Sequence, residues 1–375
     1  MIQWYISRND IEQAEMFFRS EVTTAKNRDD ALVTVVDFIQ QTRGREAAMD
    51  ELRQLIETEE NTDLFRSLLA GFKFEGGAVL EAIGDLEAVV KDAELSTQTN
   101  NIKITLSRML LLVGEGDRAL TLASEVLTQD PTNVGALKIR ASHEIEADQA
   151  GNAILTLRAA QDVAPRDPEI LTIMARAYLR NGNRSLAGEM LSLAFEISEE
   201  APTEGLRYAE FLQSDGALSS SLTVLQGALN RSPASVPLLA EMGAVQVGLE
   251  DFNRAERTES QLRALGTEEG SRAADRLRLE RLRKQERVEE AIALIRELSG
   301  DDLNAAAMAE IIGIHMSTGE PEKAETYLEG VLDEDPENRA ARFYLATLFA
   351  LSDRLGLAET YLRGLIADSP DDEIV

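Results

Sequence analysis

The sequence of 375 residues contains no cysteine and only two histidines. A chain without cysteine can form neither disulfides nor the thiolate ligands of zinc and iron–sulfur sites. His143 and His315 lie too far apart in sequence to form a local pair, and we interpret both as structural residues. None of the short motifs of phosphate-binding loops, zinc peptidases or serine hydrolases occurs. We therefore predict no catalytic residue, no metal and no cofactor.

Basic residues are also scarce, since 38 lysines and arginines stand against 67 aspartates and glutamates, which gives a formal net charge of −29. Such a chain repels phosphate backbones and anionic lipids, so we expect no nucleic-acid partner. No apolar run approaches the roughly 18 residues of a membrane-spanning helix, so we expect no direct insertion into a membrane. The 24 glycines and 9 prolines are too few for a low-complexity or collagen-like chain.

What the sequence does contain is an internal repeat, which is the signature of a repeat architecture. A small residue recurs at intervals of 33 to 37 residues along nearly the whole chain. Ten of its eleven occurrences are alanine and one is serine, a bias that chance does not produce. The eleven positions are Ala14, Ala48, Ala82, Ala119, Ala153, Ala187, Ser221, Ala255, Ala291, Ala324 and Ala358.

Two further features keep the same register. A second small residue lies twelve positions earlier in seven repeats, at Ala70, Ser107, Ala141, Ala175, Ala209, Gly243 and Ala346. A proline lies twelve positions later in five repeats, at Pro131, Pro165, Pro233, Pro336 and Pro370. Glycine-containing turn signals separate the two small residues, at Gly114, Gly182, Gly216 and Gly319. The pattern predicts two helices joined by a turn, with proline ending the second helix.

This arrangement resembles the tetratricopeptide repeat, a helix–turn–helix unit of 34 residues with small residues and a proline at fixed places. One of the better copies runs from Pro168 to Glu199. Its residues that match the family pattern are Leu171, Ala175, Tyr178, Ala187, Leu191 and Ala194. The copy departs from the pattern at its end, where Glu199 replaces the proline and Pro202 follows.

The resemblance implies an all-α fold, a right-handed superhelical solenoid of about eleven helix–turn–helix hairpins. We interpret residues 1–375 as one continuous array, with weaker repeats at residues 1–100 and 272–303, where Leu279 occupies the first small position. The first repeat lacks most of its first helix, and no polar capping helix follows the last repeat. We therefore expect the chain to be a fragment of a longer array, truncated at both ends.

The family binds other proteins, usually extended peptides or helices, in the concave face lined by the first helix of each hairpin. The resemblance therefore implies a non-catalytic scaffold for protein–protein interaction, not an enzyme. In the family register, the candidate groove residues are Asn101, Arg108, Lys138, Ser142, Arg176, Arg180, Arg207 and Glu210. The five basic residues among them predict a groove for an acidic or carboxylate-bearing peptide. Alternatively, they are solvated and paired with neighbouring acidic residues.

A second concentration of basic residues lies between residues 272 and 287, and we take Arg276, Arg283 and Lys284 as a secondary basic cluster. The basic residues are spread around the predicted helix, so the simplest interpretation is a solvated helix with pairs such as Arg276 and Glu280. The alternative is a docking site for an acidic partner, including another part of the same array.

Two other roles stay open. The array could be the regulatory or substrate-recruiting arm of a larger multidomain enzyme, or its ends could self-associate. The composition also resembles that of large bacterial tetratricopeptide repeat proteins, including lipoproteins of export and polysaccharide systems. The lack of cysteine favours the bacterial periplasm or cell envelope as the location, with the cytoplasm as the alternative.

Overall fold

The computed structural model describes residues 10–60, 62–300 and 304–368, and these residues form 21 α-helices and no β-strand. The predicted all-α fold is therefore confirmed. None of the described helices is both long enough and apolar enough to cross a lipid bilayer. The helices are α1 (Ile11–Val22), α2 (Arg28–Arg43), α3 (Arg45–Thr58), α4 (Thr62–Glu75), α5 (Val79–Asp92), α6 (Thr97–Leu112), α7 (Gly116–Gln129), α8 (Val134–Glu146), α9 (Ala150–Val163), α10 (Pro168–Arg180), α11 (Arg184–Ile197), α12 (Pro202–Ser214), α13 (Leu218–Arg231), α14 (Val236–Gly248), α15 (Phe252–Ala264), α16 (Glu268–Lys284), α17 (Val288–Ser299), α18 (Ala305–Ser317), α19 (Pro321–Glu334), α20 (Arg339–Leu351) and α21 (Leu355–Asp368).

These helices alternate as the first and second members of hairpins. The even-numbered helices are the first members, which we call A helices, and the odd-numbered helices are the second members, which we call B helices. The described residues contain ten complete hairpins, from α2–α3 to α20–α21, and α1 is a B helix that precedes them. Each A helix packs on its own B helix, and successive A helices such as α6, α8 and α10 also contact each other. These three A helices therefore form one layer.

The small residues of the repeat lie where the helices approach most closely. All eleven residues of the main series are the fourth residue of a B helix, and all are buried. All seven residues of the earlier series lie five positions before the last residue of an A helix, and these too are buried. A larger side chain at such a contact would overpack it and cost about 1–3 kcal/mol. The predicted register is thus confirmed.

The turns and helix ends follow the predicted signals. Gly114, Gly182, Gly216 and Gly319 each lie between an A helix and its B helix, with φ between 72° and 82°. In four other hairpins a residue with a side chain takes the equivalent positive φ, namely Asp148, Glu250, Glu286 and Asp353. The prolines at 131, 165, 233 and 336 each lie two residues after a B helix ends, and Pro370 lies outside the described residues.

The longest intervals in the repeat arise from longer A helices. The intervals of 37 and 36 residues contain α6 and α16, which have 16 and 17 residues where α8, α10, α12 and α14 each have 13. Leu279, which replaces the small residue of α16, is half-buried. The repeat therefore accommodates the extra residues in the A helix, and the turn that follows keeps its three residues.

The chain divides into two compact units, with the boundary between Ile197 and Ser198. The first unit contains α1–α11, and its core includes the fully buried Leu52, Phe65 and Leu86. The second unit contains α12–α21, and its core includes Ile311 and Leu345. The boundary coincides with the loop in which Glu199 and Glu200 both have positive φ, of 56° and 64°. This is also the place where the sequence departs from the repeat pattern.

Candidate functional site

The candidate groove residues lie on four A helices. The structure places Asn101 and Arg108 on α6, Lys138 and Ser142 on α8, Arg176 and Arg180 on α10, and Arg207 and Glu210 on α12. The first six belong to the first unit, where α6, α8 and α10 contact each other in order. We call these six residues the A surface. Arg207 and Glu210 belong to the second unit and are described with it.

The carboxylate of Glu169 joins two of the predicted cations on the A surface. Lys138 Nζ donates to this carboxylate and also to Asp167 Oδ2, at 3.0 Å. Arg108 Nη2 lies 3.7 Å from Glu169 Oε2, so the cluster extends across three successive A helices. Asp167 is held in place as the N-cap of α10, where it accepts from the backbone N–H groups of Glu169 and Ile170. Lys138 is only 8% exposed, and its ion pairs with two carboxylates neutralise its ammonium.

The two arginines of α10 are paired with acidic residues of the preceding hairpin. Arg176 Nη2 donates to Glu146 Oε1 at 2.8 Å, and Arg180 Nε donates to Asp148 Oδ1 at 2.8 Å. All four side chains are exposed. Exposed ion pairs of this kind contribute only about 0–1 kcal/mol, so a carboxylate of a partner can replace them at little cost.

The remaining members of the A surface are polar and unpaired. Asn101 is exposed and Ser142 is half-buried. Neither side chain forms a hydrogen bond with any other residue that the structure describes. The A surface therefore combines two free polar side chains, three exposed arginines and one buried lysine.

The sequence analysis gave pairing with neighbouring acidic residues as an alternative but did not identify the partners of these cations. A cation and an acid separated by 29–32 residues, slightly less than one repeat, form ion pairs between neighbouring hairpins in many places. Nearly equivalent positions of adjacent hairpins are neighbours in space, so this spacing is the signal that could have identified them. Examples outside the A surface are Arg19–Glu51, Arg118–Glu87, Arg231–Glu199 and Arg354–Glu325.

In the second unit the predicted residues do not form one cluster. Arg207 Nη1 lies 3.7 Å from Glu204 Oε1 within α12, and Glu210 is exposed on the same helix. Arg283 Nη2 of the secondary basic cluster donates to Glu310 Oε2 at 3.1 Å. Lys284 Nζ lies 3.9 Å from Glu250 Oε1.

The suggested pair of Arg276 with Glu280 is not formed in the part of the chain that the structure describes. Burial raises the pKa of Glu280, and the negative charge of Glu241 on α14 raises it further. Glu241 itself accepts from Gln213 Nε2 at 2.7 Å. The A helices α14 and α16 therefore bring Glu241 and Glu280 close to each other, in contrast to the cations of the first unit.

Arg281 shows that the basic stretch of α16 is not evenly solvated. This arginine is only 6% exposed, and its Nη2 donates to the buried Glu259 Oε2 at 3.0 Å. Its buried Nε has no hydrogen-bond partner among the described residues. One member of the basic stretch is thus part of the core between α15 and α16.

The comparisons with known proteins concern mainly the end of the chain and the fold. The family model described as "Tetratricopeptide repeat" matches residues 315–375. No curated protein matches the sequence.

Several solved structures are similar to this chain at low identity. A tetratricopeptide repeat protein from Parabacteroides merdae is 12% identical with a TM-score of 0.46, over 68% of this chain and 98% of that one. The human IFIT1 dimer with m7Gppp-AAAA is 15% identical with a TM-score of 0.44, over 96% and 94% of the two chains. MamA from Desulfovibrio magneticus, from residue 41 to its end, is 16% identical with a TM-score of 0.36, over 47% and 98%. At these values the neighbours carry no argument about function.

Proposed function

We propose that this chain, whose residues 315–375 match the tetratricopeptide repeat family model, is a non-catalytic scaffold that binds a protein or peptide partner on the A surface. The observation that supports the proposal is the set of exposed arginines on adjacent A helices, each held only by an acidic side chain. Arg108, Arg176 and Arg180 present guanidinium groups that can form forked hydrogen bonds with a carboxylate. We therefore expect the partner to bind through an acidic or carboxylate-bearing segment.

Binding would proceed by exchange of ion-pair partners. Before the partner arrives, Glu146 and Asp148 accept hydrogen bonds from the guanidinium groups of Arg176 and Arg180. The carboxylates of the partner then take the places of these two acids, which return to water because both are exposed. Lys138 stays with Asp167 and Glu169, so we assign it to the stability of the α8–α10 contact and not to the partner.

The test is a capture experiment from cells of the source organism with quantitative mass spectrometry. The double variant Arg176→Glu/Arg180→Glu should fold normally and lose its specific partner at both low and moderate salt. The matched control is Arg158→Glu on α9, because Arg158 is exposed and has no ion-pair partner among the described residues. A partner that binds the double variant and the control equally well would contradict the proposal.

A charge-swapped variant tests whether binding depends on the position of the Arg176 guanidinium or only on the net charge of the A surface. Arg176→Glu/Glu146→Arg keeps the net charge and the ion pair but moves the arginine from α10 to the end of α8. We expect weaker binding if the partner forms hydrogen bonds with the guanidinium at the position of Arg176. Unchanged binding would contradict the role of Arg176 as a placed contact.

A further inference from the structure

The second unit contains a cleft between two successive B helices. It lies between α13 and α15, has a volume of about 660 Å³, and is floored by buried apolar residues that include Leu239 and Met242 of α14. We call it the α13/α15 cleft. Its polar lining consists of Gln226, Asn230, Gln246, Arg254, Arg257, Thr258 and Gln261. The volume lies within the range of about 300–1,000 Å³ that is typical of ligand-binding clefts.

The charge of this cleft is opposite to that of the chain. Its lining contains two arginines and no acidic residue, in a protein of net charge −29. Arg254 Nε lies 3.3 Å from Asp251 Oδ2, whereas the exposed Arg257 has no ion-pair partner among the described residues. A neighbouring cleft, lined mainly by α15 and α16, is different, since it balances three arginines with three glutamates. The α13/α15 cleft thus offers a free positive charge.

Gln246 is the second observation that points to a ligand. This residue is only 4% exposed, and its Oε1 accepts from Thr258 Oγ1 at 2.8 Å. Its Nε2 has no hydrogen-bond partner in the described parts of the chain, although the side chain lines the cleft. The amide nitrogen of Gln246 is therefore a donor that remains available to a ligand in the cleft.

An equivalent hairpin shows that the structural part of this contact does not need an amide. In α8–α9, Thr156 Oγ1 donates to Glu144 Oε2 at 2.9 Å, with the same separation of twelve residues. A carboxylate therefore serves as well as an amide for the contact with threonine. The amide nitrogen of Gln246 is an additional donor that the hairpin itself does not use.

Three more amide side chains complete the lining. Gln226, Asn230 and Gln261 are exposed, and none forms a hydrogen bond with another described residue. An amide side chain has both a donor and an acceptor, which matches the N–H and C=O groups of a peptide backbone. The lining contains no aromatic side chain, which disfavours bases, since single-stranded nucleic acids bind mainly by stacking.

We propose that the α13/α15 cleft binds an extended, acidic peptide segment of another protein. The four amides hydrogen-bond to the peptide backbone, and Arg254 and Arg257 bind a carboxylate side chain. The 14 residues of α13 span about 21 Å, and an extended peptide covers that length with about six residues. This site is separate from the A surface, so either can fail its test while the other stands.

The experiment uses the full chain and a phage-displayed library of random twelve-residue peptides. Enriched peptides are synthesised with a fluorescent label, and their Kd is measured by fluorescence anisotropy. We expect enriched sequences to be rich in Asp and Glu. We also expect Gln246→Glu and Arg257→Glu each to raise the Kd at least tenfold. Circular dichroism checks that both variants fold, and Arg257→Glu, at an exposed residue, tests the site without adding a buried charge.

Two matched controls carry the same chemical changes elsewhere. Glu144→Gln and Arg158→Glu should leave the Kd of the selected peptides unchanged. The proposal is overturned if no peptide is enriched, if the enriched peptides lack acidic residues, or if Gln246→Glu and Arg257→Glu bind them as the wild type does. Tighter binding of a labelled twelve-nucleotide oligouridine, lost in the same two variants, would overturn it in favour of RNA.

Discussion

Gly243 on α14 faces Leu277 on α16 so closely that a Cβ atom added at Gly243 would lie 2.4 Å from Leu277 Cδ2. Leu277 Cγ would lie only 3.2 Å away, so the whole side chain would have to move. Leu277 is buried, and its neighbours leave it little room. The absence of a side chain at Gly243 therefore permits the contact between the two A helices.

Gly243→Ala should therefore destabilise the protein by about 1–3 kcal/mol, although glycine-to-alanine changes inside helices usually stabilise by about 0.5–1 kcal/mol. Denaturant unfolding followed by circular dichroism measures the change. Gly313→Ala on α18 is the control, because its added Cβ has no atom within 4 Å and should stabilise. In a Leu277→Ala background the penalty at Gly243 should disappear, and a penalty that persists would show that this contact is not its cause.

Ser221 is the one serine in the main series of small residues, and its fully buried Oγ has no partner among the described residues. Ser221→Ala should raise the free energy of unfolding by about 1 kcal/mol, because it removes an unsatisfied buried hydroxyl. Ser107→Ala is the control. Its equally buried hydroxyl donates to the Lys103 carbonyl at 2.7 Å, so its removal should bring no gain. Equal effects of the two substitutions would refute this account.

Glu286 has φ of 57° in the turn between α16 and α17, the conformation that glycine takes at Gly182 between α10 and α11. Glu286→Gly should stabilise the protein by about 1 kcal/mol, because a left-handed conformation costs a residue with a Cβ roughly 1–2 kcal/mol. The reciprocal change, Gly182→Ala, should destabilise the protein by a similar amount. The added Cβ meets no atom within 4 Å, so the cost comes only from the left-handed backbone conformation. Thermal and urea unfolding of both variants would show opposite signs, and matching signs would disprove the prediction.

Arg281 forms an ion pair with Glu259 in the interior, whereas Arg276 on the same helix is exposed. Arg281→Ala should destabilise the protein by about 3 kcal/mol, because it leaves a buried carboxylate without its closest partner. Arg276→Ala should change the stability by less than about 0.5 kcal/mol. Urea unfolding of the two variants compares them directly, and a harmless Arg281→Ala would mean that Glu259 finds sufficient compensation from Arg263, 3.7 Å away.

His315 is buried near the end of α18, and burial lowers its pKa below the ordinary 6.5, while the charges of Glu320 and Glu289 oppose the shift. The unfolded state then binds the proton more readily than the folded state. The contribution to stability is therefore intact above pH 6.5 and is lost as the pH falls towards the lowered pKa. His315→Gln should lose less stability than the wild type between pH 7.5 and 5.5 in urea unfolding. Parallel pH profiles of the two proteins would contradict this.

The sequence by itself was sufficient to determine the repeat, the helix register and the turns. Small residues recur at the position of Ala187 because the hairpins make the same close contact there. Prolines recur at the position of Pro233 because the second helix must end before it. Such constraints act within each repeat, so the same residue types recur at the same positions in every copy. Even Ser221, the exception among the alanines, is at its predicted position.

Only the tertiary structure decided which charged and polar side chains meet. Lys138 is predicted as a ligand-binding cation, but the structure places it between two carboxylates of the next hairpin, and Arg281 is buried instead of solvated. Whether a side chain reaches a partner depends on the offset between neighbouring helices and on its rotamer, neither of which repeats along the chain. The free amide of Gln246 has the same origin, because it is the packing of α13, α14 and α15 that leaves this donor facing a cleft.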